Sequence, residues 1–321
     1  MKESKSEQGA IKLLLVSVNY FSADLIAKLV KQLENQALPA GVSLSIVCAD
    51  NSVSADQEAA LKRIKESSSV AFELLVWPIN IGFGSAINKS IEGKEFDYVC
   101  CLNPDVSLRP NALYQLLTHC QKEATQGIWG GVTVDKIMTP DFRHAWQEPS
   151  LKNTLTWAFG LKHFTDNQLW HDNYQHIDTS SDTPYPVDSI SGCCMLISAP
   201  AWHALGGFDS DFFLYSEEID LCRRSRKLGF QPTVVPLSIL HHASHSHKES
   251  IKRLPLLYAS KFLYAEKHHG PLYNILYRGI ISIGSLIRMI NVLSKGRANS
   301  SRSWASLAWR SLVYPSKSNK I

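Results

Sequence analysis

The sequence predicts an α/β fold, a doubly wound and mostly parallel sheet followed by a C-terminal helical extension. Three observations carry the prediction. Short, nearly continuous apolar runs alternate with segments of helical period between residues 13 and 134, the pattern of strands buried on both faces and joined by crossover helices. Most of those runs end in a polar cluster, and open α/β sheets bind ligands at the carboxyl ends of their strands. At 321 residues and 45% hydrophobic, the chain is long enough for a large domain plus an appendage. The expected division is a catalytic-type domain over 1–248 and a helical, basic region over 249–321.

The elements follow in order. Leu13 to Val18 is the first strand, and Asn19-Tyr20-Phe21-Ser22 leaves it as a loop. Ser22 is a suitable N-cap for a helix whose face is Leu25, Ile26, Leu29, Val30 and Leu33. Val42 to Ala49 is the second strand and ends in Asp50-Asn51-Ser52. A polar helix over 55–66 leads to a third strand, Phe72 to Val76. Asn80-Ile81-Gly82-Phe83-Gly84, with Asn88 beyond it, reads as a loop opening a helix. Phe96 to Leu102 is the fourth strand. Asn103-Pro104-Asp105 must end it, because proline cannot donate to the ladder. Pro110 suits the first turn of a helix to Lys122, and Ile128 to Val134 is another strand. Thr139 to Pro186 is rich in Trp, His, Asn and Asp without a clear period, and reads as an insertion shaping a substrate site. Ser189 to Ser198 reads as a strand, Pro200 starts a short helix, and Gly206-Gly207-Phe208-Asp209 is a turn. A helix from Ser216 to Gly229 puts Leu221, Ser225 and Leu228 on one face, and Pro232 to Ile239 is the last strand.

Composition narrows the class. A net charge of +4 does not argue for nucleic acid, and neither a nucleic-acid-binding fold nor an aromatic platform is evident. The seven cysteines show no zinc or CxxC spacing and read as buried free thiols in a reducing compartment. Met1 to Ala10 lacks the apolar core of a signal peptide, so a cytoplasmic location is expected.

Three clusters can carry chemistry. Asn103-Pro104-Asp105 is either a plain turn or the place where Asp105 meets a divalent cation on a diphosphate. Glu217, Glu218 and Asp220 crowd one helix start, where the dipole favours anions. Arg223, Arg224 and Arg226 can offset their charge in a solvated helix. Against that, Phe212, Phe213, Leu214 and Tyr215 would strip water from the carboxylates and raise their pKa, as a general base requires. The run His241-His242-Ala243-Ser244-His245-Ser246-His247 is either a solvated loop or the source of a single ligand, since HExxH is absent. Gly82 and Gly84 form GxG without a third glycine, which does not support a dinucleotide fold.

Together these motifs resemble the family 2 glycosyltransferases of the GT-A fold, in their rhamnosyltransferase-like branch. The resemblance rests on Val16-Ser17-Val18-Asn19-Tyr20, Ala49-Asp50-Asn51-Ser52, Asn80-Ile81-Gly82-Phe83-Gly84 with Asn88, Leu102-Asn103-Pro104-Asp105, Gly206-Gly207-Phe208-Asp209, Phe213 to Arg224, and His241 with Ser246, all in that order. It implies inverting transfer from a nucleoside-diphosphate sugar, dTDP-rhamnose favoured, to a saccharide or lipid-linked acceptor in cell-surface polysaccharide synthesis. Asn19, Asp50, Asn51, Asn80, Gly82, Asn88, Asn103 and His241 fall at donor-binding positions. Asp105, with His241, matches the position that holds Mg²⁺ or Mn²⁺. Asn103 stands where many relatives have Asp, and an amide is a poorer ligand for a hard cation. Glu218 matches the base, with Asp220 the alternative and Glu217 beside them. A UDP-hexose donor, or a silent sugar-nucleotide-binding protein, are the competing implications.

In the tail, Asn274, Arg278, Ser282, Ser285, Arg288 and Asn291 form a polar helical stripe opposite a broad Ile/Leu face. With Trp304, Trp309, Tyr314 and scattered Lys and Arg, residues 272–314 suit either peripheral contact with a membrane's inner face or packing on the body.

Overall fold

The structure is a computed structural model describing residues 10–122, 127–135, 138–140, 144–160, 183–241, 247–296 and 298–313. The elements are β1 (Ile11–Asn19), α1 (Ala23–Glu34), β2 (Val42–Asp50), α2 (Ala55–Ser67), β3 (Ala71–Val76), α3 (Phe83–Ile91), β4 (Tyr98–Leu102), β5 (Val106–Ser107), α4 (Ala112–Lys122) and β6 (Ile128–Val134). There follow β7 (Ala145–Trp146), α5 (Leu151–Phe159), β8 (Tyr185–Pro186), β9 (Ser189–Ile190), β10 (Cys194–Ser198), α6 (Ala199–Leu205), α7 (Glu217–Lys227), β11 (Pro232–His241), α8 (His247–His268), α9 (Pro271–Ser294) and α10 (Ala298–Val313).

The main sheet runs β3-β2-β1-β4-β10-β6-β11-β5, with β8 also on β11, and β7-β9 form a separate ribbon. β1, β2, β3 and β4 are mutually parallel, as are β6 and β11, whereas β10 runs antiparallel between the two groups. Side chains that alternate along a strand feed two cores. Leu13 and Leu15 pack with Ile26, Leu29, Leu61 and Leu113 on one face. Leu14 and Val16 pack with Ile87, Ile91, Trp202 and Phe208 on the other. Both faces are therefore covered by helices, which is why the strands read as unbroken apolar runs. All seven cysteines are buried and unbridged.

Several expected boundaries shift for local reasons. Ser22 caps no amide of α1 with its side chain; its Oγ donates instead to Asn19 Oδ1. Pro110 lies before α4, its carbonyl accepting from Ala37 N. The expected single strand over 189–198 is broken at Ser191-Gly192-Cys193, although the Cys193 carbonyl still accepts from Asn103 N in line with the pairing of β10 and β4. Leu228 does not join the buried face of Leu221 and Ser225 but is exposed. Within the 139–186 stretch, α5 is helical from a Ser150 cap, Oγ accepting from Asn153 N, to a left-handed Gly160. Residues 161–182, His242 to Ser246, Tyr314, Lys317 and Lys320 lie outside the described residues.

The C-terminal helices form a third core of Tyr258, Phe262, Tyr277, Ile281 and Leu307 against Trp157 of α5. The polar stripe of α9 faces inward. Ser282 Oγ donates to Ala308 O at 3.0 Å, and the Arg288 guanidinium lies 3.8 Å from the Trp157 ring centre while capping carbonyls of α5. The opposite face, with Leu272, Ile275, Ile283, Leu286, Ile287 and Ile290, is exposed. By length and composition α9 could cross a membrane, yet its inward stripe is committed to α5 and α10.

Candidate active site

The site assembles where the carboxyl ends of β1, β2 and β4 meet the start of α7. Asn19, fully buried at the end of β1, donates from Nδ2 to Asp50 Oδ1 at 2.8 Å and Ser52 Oγ at 2.9 Å. Its Oδ1 accepts from Ser22 N and Oγ. Asn19 is thus engaged inside the loop, and its effect is to aim Asp50. Ser52 N also donates to Asp50 Oδ1, whereas Asp50 Oδ2 and Asn51 Oδ1 are buried without a partner among the described residues. Buried acceptors of that kind call for a donor from outside.

A relay of backbone contacts leads from there to the carboxylates. Asn51 Nδ2 donates to Gly82 O at 2.9 Å. Asn80 Oδ1 accepts from Gly82 N at 3.0 Å and shapes the turn. Gly82 has φ +86°, and a Cβ there would stand 2.5 Å from the Phe213 carbonyl, so the 80s loop can touch the Phe213 backbone only because this residue is glycine. Phe83 N then donates to Phe213 O at 2.9 Å. Asn88, expected near the nucleotide, is engaged by Phe208 through both amide atoms, at 2.7 and 2.9 Å, and holds the Gly206–Asp209 turn.

Tyr215 and Ser216 both adopt left-handed backbone, φ 72° and 66°, immediately before Glu217. Such conformations in non-glycine residues are costly and persist where the surroundings impose them. Here the Phe213 anchor on one side and α7 on the other impose them. Glu217 is buried, its Oε2 unpartnered among the described residues. Burial, and then the charge of Glu218, push it well above the carboxylate range. Glu218 is partly buried and lines a cavity, and burial lifts its pKa to about 7 against an opposing backbone hydrogen bond. Asp220 differs. Burial pushes its carboxyl up, but His268 Nε2 at 2.7 Å and Arg224 Nε at 2.8 Å together hold it below its ordinary range. Arg224 also caps the carbonyls of Leu205 and Gly207. Arg223 and Arg226, expected to offset the helix's own carboxylates, reach instead to Glu148.

The Asn103-Pro104-Asp105 turn connects β4 to β5, and β5 pairs with the far end of β11 so that Val106 stands opposite His241. Asp105 and His241 are thereby neighbours by register. Asn103 N donates to Cys193 O at 2.9 Å; next to it, a Cβ on Gly192 would lie 3.9 Å from the Glu218 Cβ. The turn and the carboxylates therefore border one space. No three His, Cys, Asp or Glu side chains converge into a metal cluster among the described residues. Asp105 places one carboxylate at this turn, and a divalent cation that keeps waters or ligand oxygens needs only one or two from a protein.

Beyond Glu218 lies a cavity of about 310 Å³ between α5, α7, α8, α9 and α10, walled by Trp146, Trp157, Tyr258, Trp304 and Lys261. These residues come from four separate segments, so no spacing in the sequence joins them. The Trp-rich insertion was the one signal.

A doubly wound sheet with a nucleotide-type carboxyl edge and an acidic helix start facing a second, aromatic cavity defines a sugar-nucleotide transferase of the GT-A fold. The chain belongs to Glycosyl transferase family 2, whose pattern matches residues 15–199. It is 29% identical over 276 residues to the N-acetylglucosaminyl-diphospho-decaprenol L-rhamnosyltransferase of Mycobacterium tuberculosis, covering 79% of this chain and 86% of that protein. It is 24% identical over 146 residues to the low-salt glycan biosynthesis hexosyltransferase Agl10 of Haloferax volcanii, covering 46% and 42% respectively. Among solved structures, the mannosyltransferase PcManGT from Pyrobaculum calidifontis in complex with GDP-Man and Mn²⁺ has a TM-score of 0.57 at 15% identity, over 94% of this chain and 84% of that one. GalNAc-T7 with UDP, GalNAc and Mn²⁺ has a TM-score of 0.54 at 13% identity, over 81% and 50%. At those identities the two structures speak to the fold alone.

Proposed function

We propose that this glycosyltransferase moves a sugar, rhamnose favoured, with inversion from a nucleoside diphosphate to a lipid-linked saccharide at the inner face of a membrane. The observation that carries the reading is that Asp50 and Asn51, each with a buried unpartnered oxygen among the described residues, are tied through Gly82 and Phe83 to Phe213, just before the start of α7, where Glu218 lines a cavity. The rhamnosyl relative supports the donor and acceptor class.

Asp50 and Asn51 take the nucleoside through their unpartnered oxygens. Asp105, with His241, would hold Mg²⁺ or Mn²⁺, which would supply neutralisation of charge on the diphosphate. Glu218, ionised, accepts the proton of the acceptor hydroxyl. That oxygen bonds to the anomeric carbon, the bond from carbon to phosphate oxygen breaks, and its electron pair leaves with the nucleoside diphosphate. One displacement inverts the centre. Glu217 stays protonated beside Glu218, and Asp220 is held by Arg224 and His268 as a structural carboxylate. Residues 1–248 form the catalytic domain in this reading. The outward apolar face of 249–321, with no acidic residue after Glu266, rests on anionic lipid.

Calorimetry of the full chain against dTDP-rhamnose, UDP-hexoses and GDP-mannose, each with Mg²⁺, Mn²⁺ or chelator, tests the donor. Tight binding of dTDP-rhamnose, weakened by chelator and by Asp105→Asn, is expected. Binding of no sugar nucleotide would overturn it.

A further inference from the structure

We infer that Gln57 of α2 is a positioning residue for the donor end of the site, its side-chain oxygen holding the loop that aims Asp50. The inference rests on the proposed transferase reading, in which Asp50 and Asn51 take the nucleoside, and adds a residue outside their loop that keeps them in place. α1 starts without a cap of its own. Ser22 bonds no amide of the helix with its side chain, and Ala23, the first helical residue, is buried, so its amide needs an acceptor from elsewhere. Gln57 Oε1 is that acceptor, at 3.1 Å. The same oxygen accepts from Asn19 Nδ2 at 3.2 Å. A backbone amide only donates, so chemistry fixes which end of the Gln57 side chain faces it. Gln57 stands one helical turn before Leu61, which packs in one core with Ile26 of α1. That spacing puts Gln57 on the face of α2 turned toward α1.

Asn19 carries the effect onward. Its Nδ2 also donates to Asp50 Oδ1 and Ser52 Oγ, and its Oδ1 accepts from Ser22 N and Oγ. With Gln57 as a further acceptor, the Asn19 amide is held from α1, from α2 and from the end of β2. Asp50 then turns Oδ1 to Asn19 and to Ser52 N and keeps Oδ2, buried and unpartnered among the described residues, for a ligand. The two loops that meet here are strained. Phe21 and Val53 both have φ 52°, an angle that bulky and β-branched side chains adopt only where their surroundings impose it. Phe21 N donates to Ser52 Oγ at 2.9 Å, which ties one strained loop to the other. Gln57 grips the first loop at both ends, through Asn19 and Ala23. Without its oxygen, the strain can relax by releasing Asn19, and Asp50 loses its aim.

The test uses the full chain, with dTDP, UDP and GDP as calorimetric probes and steady-state kinetics for the donor. Gln57→Met keeps the length of the side chain and removes its oxygen. It is expected to weaken the best-bound nucleoside diphosphate about fivefold, the size of one lost hydrogen bond. Donor KM should rise by a similar factor while kcat stays within about twofold, the pattern of lost uniform binding. Asn19→Ala is expected to weaken the same probe about tenfold, and Gln57→Met added to it to cost less than about twofold more, because its effect passes through Asn19. Should Gln57→Met fail to fold, Gln57→Asn, which withdraws the oxygen by one methylene, is expected to weaken binding about threefold. A lowered melting temperature with unchanged nucleotide affinity in the folded variant would make Gln57 a structural residue and overturn the proposal. Additive losses in the double variant would overturn it as well. Failure of the wild type to bind any of the three nucleotides would overturn the transferase reading and the role of Gln57 with it. Wild-type binding that neither Gln57 variant alters would overturn the role of Gln57 alone.

Discussion

Glu218 owes its chemistry to two neighbours in sequence. Glu217 takes the deeper position, and the left-handed Tyr215-Ser216 pair turns the helix start toward the cavity. Because burial lifts Glu218 to about 7, its ionised form gains population as pH rises through 7. In wild type kcat/KM is expected to fall about tenfold per unit below that value and to level off above pH 8. Glu218→Gln is expected to lower kcat by about 10²–10⁴-fold, with sugar-nucleotide affinity unchanged in calorimetry. Glu217 gives a stability prediction of the opposite kind. Its raised folded pKa means that stability is full below the ordinary carboxylate range and declines as pH rises toward the folded value. Glu217→Gln should therefore melt higher than wild type at pH 8 and by less at pH 4. The acidic cluster was legible in the sequence because three carboxylates beside three aromatics and a leucine is an unusual local pattern. The part played by each was not. Asp220 and Glu218 differ only through Arg224 and His268, and His268 lies 48 residues away.

At the scale of elements, the fold was readable wherever the strands were parallel and buried, as in β1, β2 and β4. It was less so where the chain briefly leaves strand geometry, as at Ser191-Gly192-Cys193 between β9 and β10. The resemblance puts Asn19 and Asn88 at donor-binding positions; in the structure each also clamps a loop, which residue type alone does not reveal. Two clamps give sharp expectations. Gly82→Ala puts a Cβ 2.5 Å from the Phe213 carbonyl at φ +86°. It should cost about 1–3 kcal/mol in denaturant unfolding and lower kcat, because the displaced Phe213 backbone leads into α7. Asp220→Ala removes the bridge from α7 to α8 and leaves Arg224 and His268 without their carboxylate. A loss of about 3–5 kcal/mol is expected by thermal or chemical unfolding. Since the Asp220 pKa is held down in the folded state, this contribution is present above the ordinary carboxylate range and is lost as pH falls through the folded value.

At the scale of the whole molecule, the tail packs on the body through one face and leaves the other exposed. The stripe of α9 with Ser282, Ser285 and Arg288 packs inward, and its Ile/Leu face points out alongside Trp309 and Leu312 of α10. Period alone marks two faces without saying which one meets protein. The missing side chain of Gly284 decides it, since a Cβ there would press within 2.7 Å of the Ala158 Cα. If the outer face meets lipid, Leu286→Glu with Ile290→Glu should cut partitioning onto anionic vesicles at least about tenfold, with thermal stability unchanged because both residues are exposed. The helices that carry this face also wall the cavity that ends at Glu218. The most direct test is the release of nucleoside diphosphate from dTDP-rhamnose in the presence of a lipid-linked N-acetylglucosaminyl diphosphate, with the new linkage read by NMR, in wild type and Glu218→Gln. Acceptor-dependent release with an inverted anomeric centre, nearly abolished in Glu218→Gln, is the expected result. Equal release by the two proteins, or retention of configuration, would contradict it.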